Sequence, residues 1–160
     1  GRAPGDATRP RETVGPPPTF RERVRRFRAE ARAGRSIALA ISVNETFVGQ
    51  VTLGGITWGS LRSAYIGYWI DRAVAGGGHM PRAVALVGDY AFGPLQLHRL
   101  EINVRPENTA SIRVAQKLGF RDEGMRRRYL HINGDWRDHI AFALTVDEAR
   151  DGLLHRVARR

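Results

Sequence analysis

Cysteine is absent from the 160 residues. Disulfides, thiolate metal sites and cysteine nucleophiles are excluded together. Lysine is nearly absent: of 26 basic residues 25 are arginine, and Lys117 stands alone. No apolar run approaches the roughly 20 residues that a membrane-spanning helix needs. No signal peptide is visible, although the chain opens on Gly1 without an initiating Met. The expectation is a cytoplasmic chain with no membrane partner and no bound metal.

What is there suffices for one domain with tails. The hydrophobic fraction of 42% supports a core. The divisions expected are a Pro/Arg-rich flexible segment at 1–18, a domain at 19–150 and a basic tail at 151–160. Net charge is +10. Carried by arginine, that charge suits bidentate contact with phosphate or carboxylate. Two readings compete: a solvated arginine surface from biased codon usage, or a phosphate-rich partner such as a ribosome or a nucleotide cofactor. Aromatics are not interleaved with basic residues as in a nucleic-acid module.

Thr19 and Glu22 form a capping-box pattern, and Phe20, Val24, Phe27 and Ala31 recur at helical spacing up to Gly34. A basic amphipathic helix is predicted over Phe20–Ala33. Strands follow at Ser36–Val43, Phe47–Thr57 and Arg62–Ile70, with turn chemistry at Asn44-Glu45 and a bulge or bend at Gly54-Gly55. Tyr65, Gly67 and Trp69 share one face of the third strand. A glycine there needs a reason: close approach of a backbone or ligand, or packing under an aromatic.

Ala64–Phe120 organises the rest. Ala75-Gly76-Gly77-Gly78-His79-Met80-Pro81 places three glycines before a helix that must begin near Pro81, since proline is tolerated only in the first turn. Such a start offers uncovered N–H donors and about half a positive charge, a seat for a pyrophosphate. Neither the P-loop pattern nor the dinucleotide GxGxxG spacing is present. Leu100–Arg105 is the next strand, with Glu101, Asn103 and Arg105 on one face. Asn108 then starts a helix that Gly119 stops; asparagine is a favoured N-cap in any helix. Phe120–His131 and Trp136–Leu144 are strands joined by a type I′ turn at Asn133-Gly134. Asp147–Arg160 is a short charged helix or tail.

The ordered strings IGYW, AGGGHM, RPENTASIRVAQKLGF and NGDWRDH, within about Ser36–Thr145, resemble the GNAT N-acetyltransferases. More narrowly they are similar to the RimJ/RimL branch, which acetylates N-terminal amines of ribosomal proteins. The last two strings point to its alanine-specific members. The resemblance implies an α/β (α+β) fold: a mixed, mostly antiparallel central sheet splayed at one parallel strand pair, with helices on both faces. It implies acetyl-CoA in the V. Trp69 and Ile70 would bond the pantetheine arm, and Ala75, Gly76, Gly77, Gly78, His79 and Met80 would hold the pyrophosphate. Asn108 would bond a pantetheine amide, and Ser111 would be the general acid near the sulfur. The chain departs from the family at Ala75, usually Gln or Arg, and at Met80, usually a small residue. The family's first strand and first helix have no counterpart before Thr19.

The reaction implied is direct attack of an amine on a thioester in a ternary complex. An α-amine, with a pKa near about 7.7–8.0, is roughly 10–20% neutral at pH 7, whereas a lysine is neutral less than about 0.1% of the time. An N-terminal acceptor therefore needs little base assistance. Glu101 is the base candidate, through its strand face shared with Asn103; the competing reading is a structural carboxylate paired with Arg99 or Arg105. Tyr65 and His98 are further base candidates, and a backbone N–H near Ile70 is the oxyanion donor. The expected acceptor is the N-terminal alanine of a ribosomal protein, with ribosome contact through the arginine surface, by a monomer or homodimer. The alternatives are a small-molecule amine acceptor, or a non-catalytic basic module that docks on the ribosome.

Overall fold

Two tight turns set the antiparallel arms of the sheet. Asn44 and Glu45, both left-handed at φ 49° and 65°, join β1 (Ile37–Val43) to β2 (Thr46–Thr57). Asn133 and Gly134, at φ 50° and 84°, join β5 (Arg121–Ile132) to β6 (Asp135–Thr145). Residue pairs of this backbone type match the twist of adjoining strands. The computed structural model of the chain describes residues 16–158. Most of the expected 1–18 segment and the end of the expected 151–160 tail lie outside the described residues.

Between the arms lies one crossover. From β3 (Ser63–Ile70) the chain passes through a 3-10 turn at Arg72–Val74 into α2 (His79–Phe92) and returns as β4 (Arg99–Val104). Ahead of the sheet stands α1 (Phe20–Arg32), whose capping box at Thr19 and Glu22 is complete. After β4 comes α3 (Thr109–Lys117), and after β6 a 3-10 turn and α4 (Leu154–Ala158). The six strands run in the order β1-β2-β3-β4-β6-β5. Every neighbouring pair is antiparallel except β3–β4, which the crossover makes parallel. The fold is the expected mixed sheet with one parallel pair.

That pair is short. Ser63, Ala64 and Tyr65 match Arg99, Leu100 and Glu101, and pairing stops there. Beyond it β3 stays on β2 as far as Ile70 opposite Gly49. Likewise β4 stays on β6 as far as Val104 opposite Ile140. The two strands part because each is held by its other neighbour.

One face of the sheet buries Leu53, Ile66, Leu100, Ile102, Phe142 and Leu144 against α2 and α3. Val84, Val87 and Ala91 supply the buried side of α2, as their spacing predicts. Within the expected C-terminal tail, Leu153 is fully buried. Its N–H and that of Leu154 donate to the Asp89 carboxylate, and Arg156 donates to the carbonyls of Leu118 and Glu148.

Gly49 lies where β2 meets the end of β3. A Cβ there would stand 2.4 Å from the Trp69 carbonyl oxygen and 3.0 Å from the Ile70 Cα. Both are backbone atoms and cannot swing aside. Gly49→Ala is expected to lower the unfolding free energy by about 1–3 kcal/mol, the usual cost of overpacking, measured by urea denaturation. On the opposite face, Arg99 and Arg121 both bond Glu123. Chiefly through Arg99, they hold its carboxyl at about 2 instead of the ordinary 4.5. A depressed carboxylate pKa stabilises the fold fully above the unfolded value, and the contribution is lost as pH falls towards the folded value. Glu123→Gln is therefore expected to cost stability at pH 6, and the difference from the parent should shrink steadily between pH 4.5 and 2.

Candidate active site

A cavity of about 820 Å3 opens where β3 leaves β4. Its floor is Tyr68, Trp69 and Ile70, one wall is the glycine turn, and the other is the first two turns of α3. The turn forms because Gly76 and Gly78 take φ values of 83° and 80°, which glycine adopts without strain. Gly78 is the N-cap of α2 and provides no side-chain acceptor. Among the described residues, the N–H groups of Gly76, Gly77 and Gly78 donate to no protein atom. The helix begins at His79, so Pro81 occupies its third position, still within the first turn where the missing N–H costs nothing.

The charge in this cavity is of one sign. Arg72, Arg113 and Lys117 line it, and no Asp or Glu does. Arg113 and Lys117 stand four residues apart on α3 and so share a face. The sequence reading passed over both, although the buried stripe of Ile112, Ala115 and Leu118 leaves them on another face of the same helix.

Asn108 caps α3: its Oδ1 accepts the Ser111 N–H at 3.1 Å. Its amide NH2 stays free to donate. The half-buried Ser111 hydroxyl bonds no described protein group. Tyr68 donates its hydroxyl to the Ser111 carbonyl at 3.3 Å. Burial pushes the Tyr68 phenol up, outweighing the lowering effect of that bond, so the ring stays protonated at neutral pH.

A second cavity, of about 220 Å3, lies between the parted strands, with Gly67, Asn103, Arg105 and His139 in its wall. Tyr68, Asn108 and Ser111 line both cavities. The two spaces meet at these three residues. A Cβ on Gly67 would have nothing within 4 Å. Packing under an aromatic is therefore not the reason for this glycine; open space beside the strand is.

Trp69, Ile70, Ala75, Gly76, Gly78, His79, Met80, Asn108 and Ser111, all expected at a ligand, line the larger cavity. Gly77 does not; a Cβ there would meet the His79 ring at 3.1 Å. Glu101 requires a correction. It lines neither cavity, and its Oε1 accepts from Arg99 at 3.0 Å and from Arg126 at 2.6 Å. The carboxylate is structural, paired with Arg99 as the competing reading held; Arg105 pairs with Glu107 instead. His98 is exposed at the far end of β4, and the Tyr65 ring lies over Gly54 and Gly55. Neither lines a cavity. His139, which does, was missed because the string NGDWRDH served only as a marker of resemblance. Among the described residues, no cluster of three or more His, Asp or Glu is arranged to hold a metal ion. No described helix is long and apolar enough to cross a membrane.

The acetyltransferase (GNAT) domain profile matches residues 6–121. The chain is 46% identical over 101 residues to the probable N-acetyltransferase YjcK of Bacillus subtilis, covering 63% of this chain and 56% of that protein. It is 33% identical over 105 residues to the ribosomal protein uS5-alanine N-acetyltransferase of Escherichia coli, covering 66% and 54%. The chain thus spans about half the length of the curated relatives it matches. Among solved structures, Mycobacterium smegmatis RimJ in complex with CoA-disulfide superposes with a TM-score of 0.81 at 46% identity, covering 84% of this chain and 64% of that one. Domain match, sequence relatives and sheet topology agree, and the chain belongs to the GNAT acetyltransferase family.

Proposed function

We propose that the chain transfers an acetyl group from acetyl-CoA to an N-terminal amine, an alanine at the start of a ribosomal protein. The observation that carries this reading is the meeting of two cavities at Tyr68, Asn108 and Ser111. A thioester and an amine entering from opposite sides would come together there and nowhere else along the split. Similarity to the uS5-alanine N-acetyltransferase and to a RimJ structure with a CoA-derived ligand supports the choice of donor and acceptor.

The residues divide the work by their chemistry. The free N–H groups from Gly76 onward, the start of α2 and the cations Arg72, Arg113 and Lys117 suit the diphosphate and phosphate of CoA. Holding phosphates with backbone donors makes the loss of a Gln or Arg at Ala75 tolerable. The unpaired edge of β3 at Trp69 and Ile70, with the Asn108 amide, suits the amides of the pantetheine arm. An N–H near Ile70 would steady the oxyanion. The amine nitrogen bonds the acetyl carbon, the carbon–sulfur bond breaks, the Ser111 hydroxyl gives its proton to the leaving thiolate, and the proton shed by the nitrogen returns through water to restore that hydroxyl. Tyr68, protonated and bonded to the Ser111 carbonyl, fixes the start of α3 against β3. A net charge of +10 repels polyamines, which disfavours the small-amine alternative. The exposed arginines of α1 would serve ribosomal contact.

Acetyl-CoA is expected to raise the melting temperature, and thiol release is expected with an alanine-starting peptide in preference to spermidine. No shift and no thiol would end the proposal. Ser111→Ala should leave the acetyl-CoA Kd within about threefold and lower kcat by about 10²-fold, the lower range of a lost general acid; a kcat within twofold would remove Ser111 from that role. Gly67→Ala adds a methyl where there is room and no strain. It should stabilise the fold by about 0.4–1 kcal/mol yet raise the peptide KM, because the methyl enters the space left for the acceptor.

A further inference from the structure

The smaller cavity holds a histidine that the reading above does not use. His139 is 3% exposed, the buried polar side chain of the core, and it lines the cavity shared with Ser111. Its Nδ1 lies 3.0 Å from the Arg137 carbonyl oxygen. A carbonyl oxygen only accepts, so Nδ1 must carry the proton, and the neutral ring then has its free lone pair on Nε2. Nε2 has no protein partner among the described residues. The ring is also fixed in orientation: Tyr129 meets it edge-on, with centroids 5.9 Å apart. Tyr129 is held in turn by Arg126, which bonds its hydroxyl at 2.9 Å and stacks over its ring, while Arg126 is anchored by Glu101.

A second acceptor lies in the same wall. Asn103 stands opposite Ala141 on β4, on the sheet face that His139 also occupies two residues along β6. Its Oδ1 is buried with no protein partner. Arg105, in the same wall, has a buried Nε donor without an acceptor. Two acceptors without donors and one donor without an acceptor, in a cavity that reaches Ser111, match a group that brings both N–H and C=O. The amine end of a peptide is such a group.

We propose that His139 Nε2 takes the proton from the acceptor amine, with Asn103 Oδ1 holding the amine beside it. This rests on the acetyl-transfer reading. As the new carbon–nitrogen bond forms, one amine proton passes to Nε2; the thiolate takes its proton from Ser111, and the imidazolium returns a proton to Ser111 through water. The charged and titratable groups around the ring are Arg126 and Tyr129 from β5, Arg105 just past β4 and Arg137 from its own strand, with Glu101 engaged by Arg126. Glu101, no longer a base, becomes the far anchor of the chain of contacts that orients one.

His139→Asn keeps a donor for the Arg137 carbonyl and removes the basic lone pair. With acetyl-CoA and an alanine-starting peptide, kcat is expected to fall about 10²-fold, with the acetyl-CoA Kd within twofold. The acid limb of the parent's pH–rate profile should disappear. A variant kcat within tenfold of the parent, or an unchanged acid limb, overturns the proposal while leaving acetyl transfer intact. Nitrogen-15 chemical shifts of the parent give an answer that does not need the variant to fold: His139 should show the Nδ1-protonated tautomer, and an Nε2-protonated ring overturns the assignment. A parent chain that binds no acetyl-CoA and releases no thiol overturns acetyl transfer and this proposal together.

Discussion

A parallel strand pair that stops after three residues leaves two backbone edges without partners. Buried N–H and C=O groups are paired almost without exception in folded proteins, so such edges must be met by water or by a ligand. Here the gap cannot close cheaply. β3 is committed to β2 as far as Ile70, and β4 to β6 as far as Val104. Drawing the edges together would break one of those ladders. The Gly49–Trp69 approach shows how tightly the first is made. Both cavities, the exposure of the start of α3 and the role proposed for Trp69 and Ile70 follow from this one interruption.

Charge is distributed in keeping with it. On the side of the glycine turn, Arg72, Arg113 and Lys117 face the cavity with no lining carboxylate to offset them. On the other face, Arg99, Arg121 and Arg126 are paired with carboxylates. Glu101 sits between Arg99 and Arg126, and Glu123 and Glu148 take Arg121. The net positive charge is therefore not a uniform coat. It is left free where a polyanion would lie and is tied up in ion pairs around Glu101 and Glu123 on the opposite face of the sheet.

The local features were legible because each depends on residues close in sequence. Thr19 and Glu22 cap α1, Asn133-Gly134 turns a hairpin, Asn108 caps α3, and the glycines before Pro81 open α2. Period-two alternation also put Glu101 and Asn103 on one strand face. It could not show which cations would reach Glu101, because Arg126 comes from a strand 25 residues further on, brought near by the β4–β6–β5 order. His139 was hidden for the same reason. A histidine in a polar strand end carries no signal until the fold sets it against Tyr129 and beside Ser111. Arg113 and Lys117 were open to reading from helix geometry alone, since a helix with one buried face has another that must look elsewhere.

Cross-strand nuclear Overhauser effects between β3 and β4 test the interruption most directly. The account predicts backbone contacts linking Ala64 with Leu100 and Tyr65 with Glu101, and none linking Gly67 with Asn103, in the chain free of ligand. Contacts between Gly67 and Asn103 as strong as those at Ala64 would mean a continuous sheet, and the account would be contradicted.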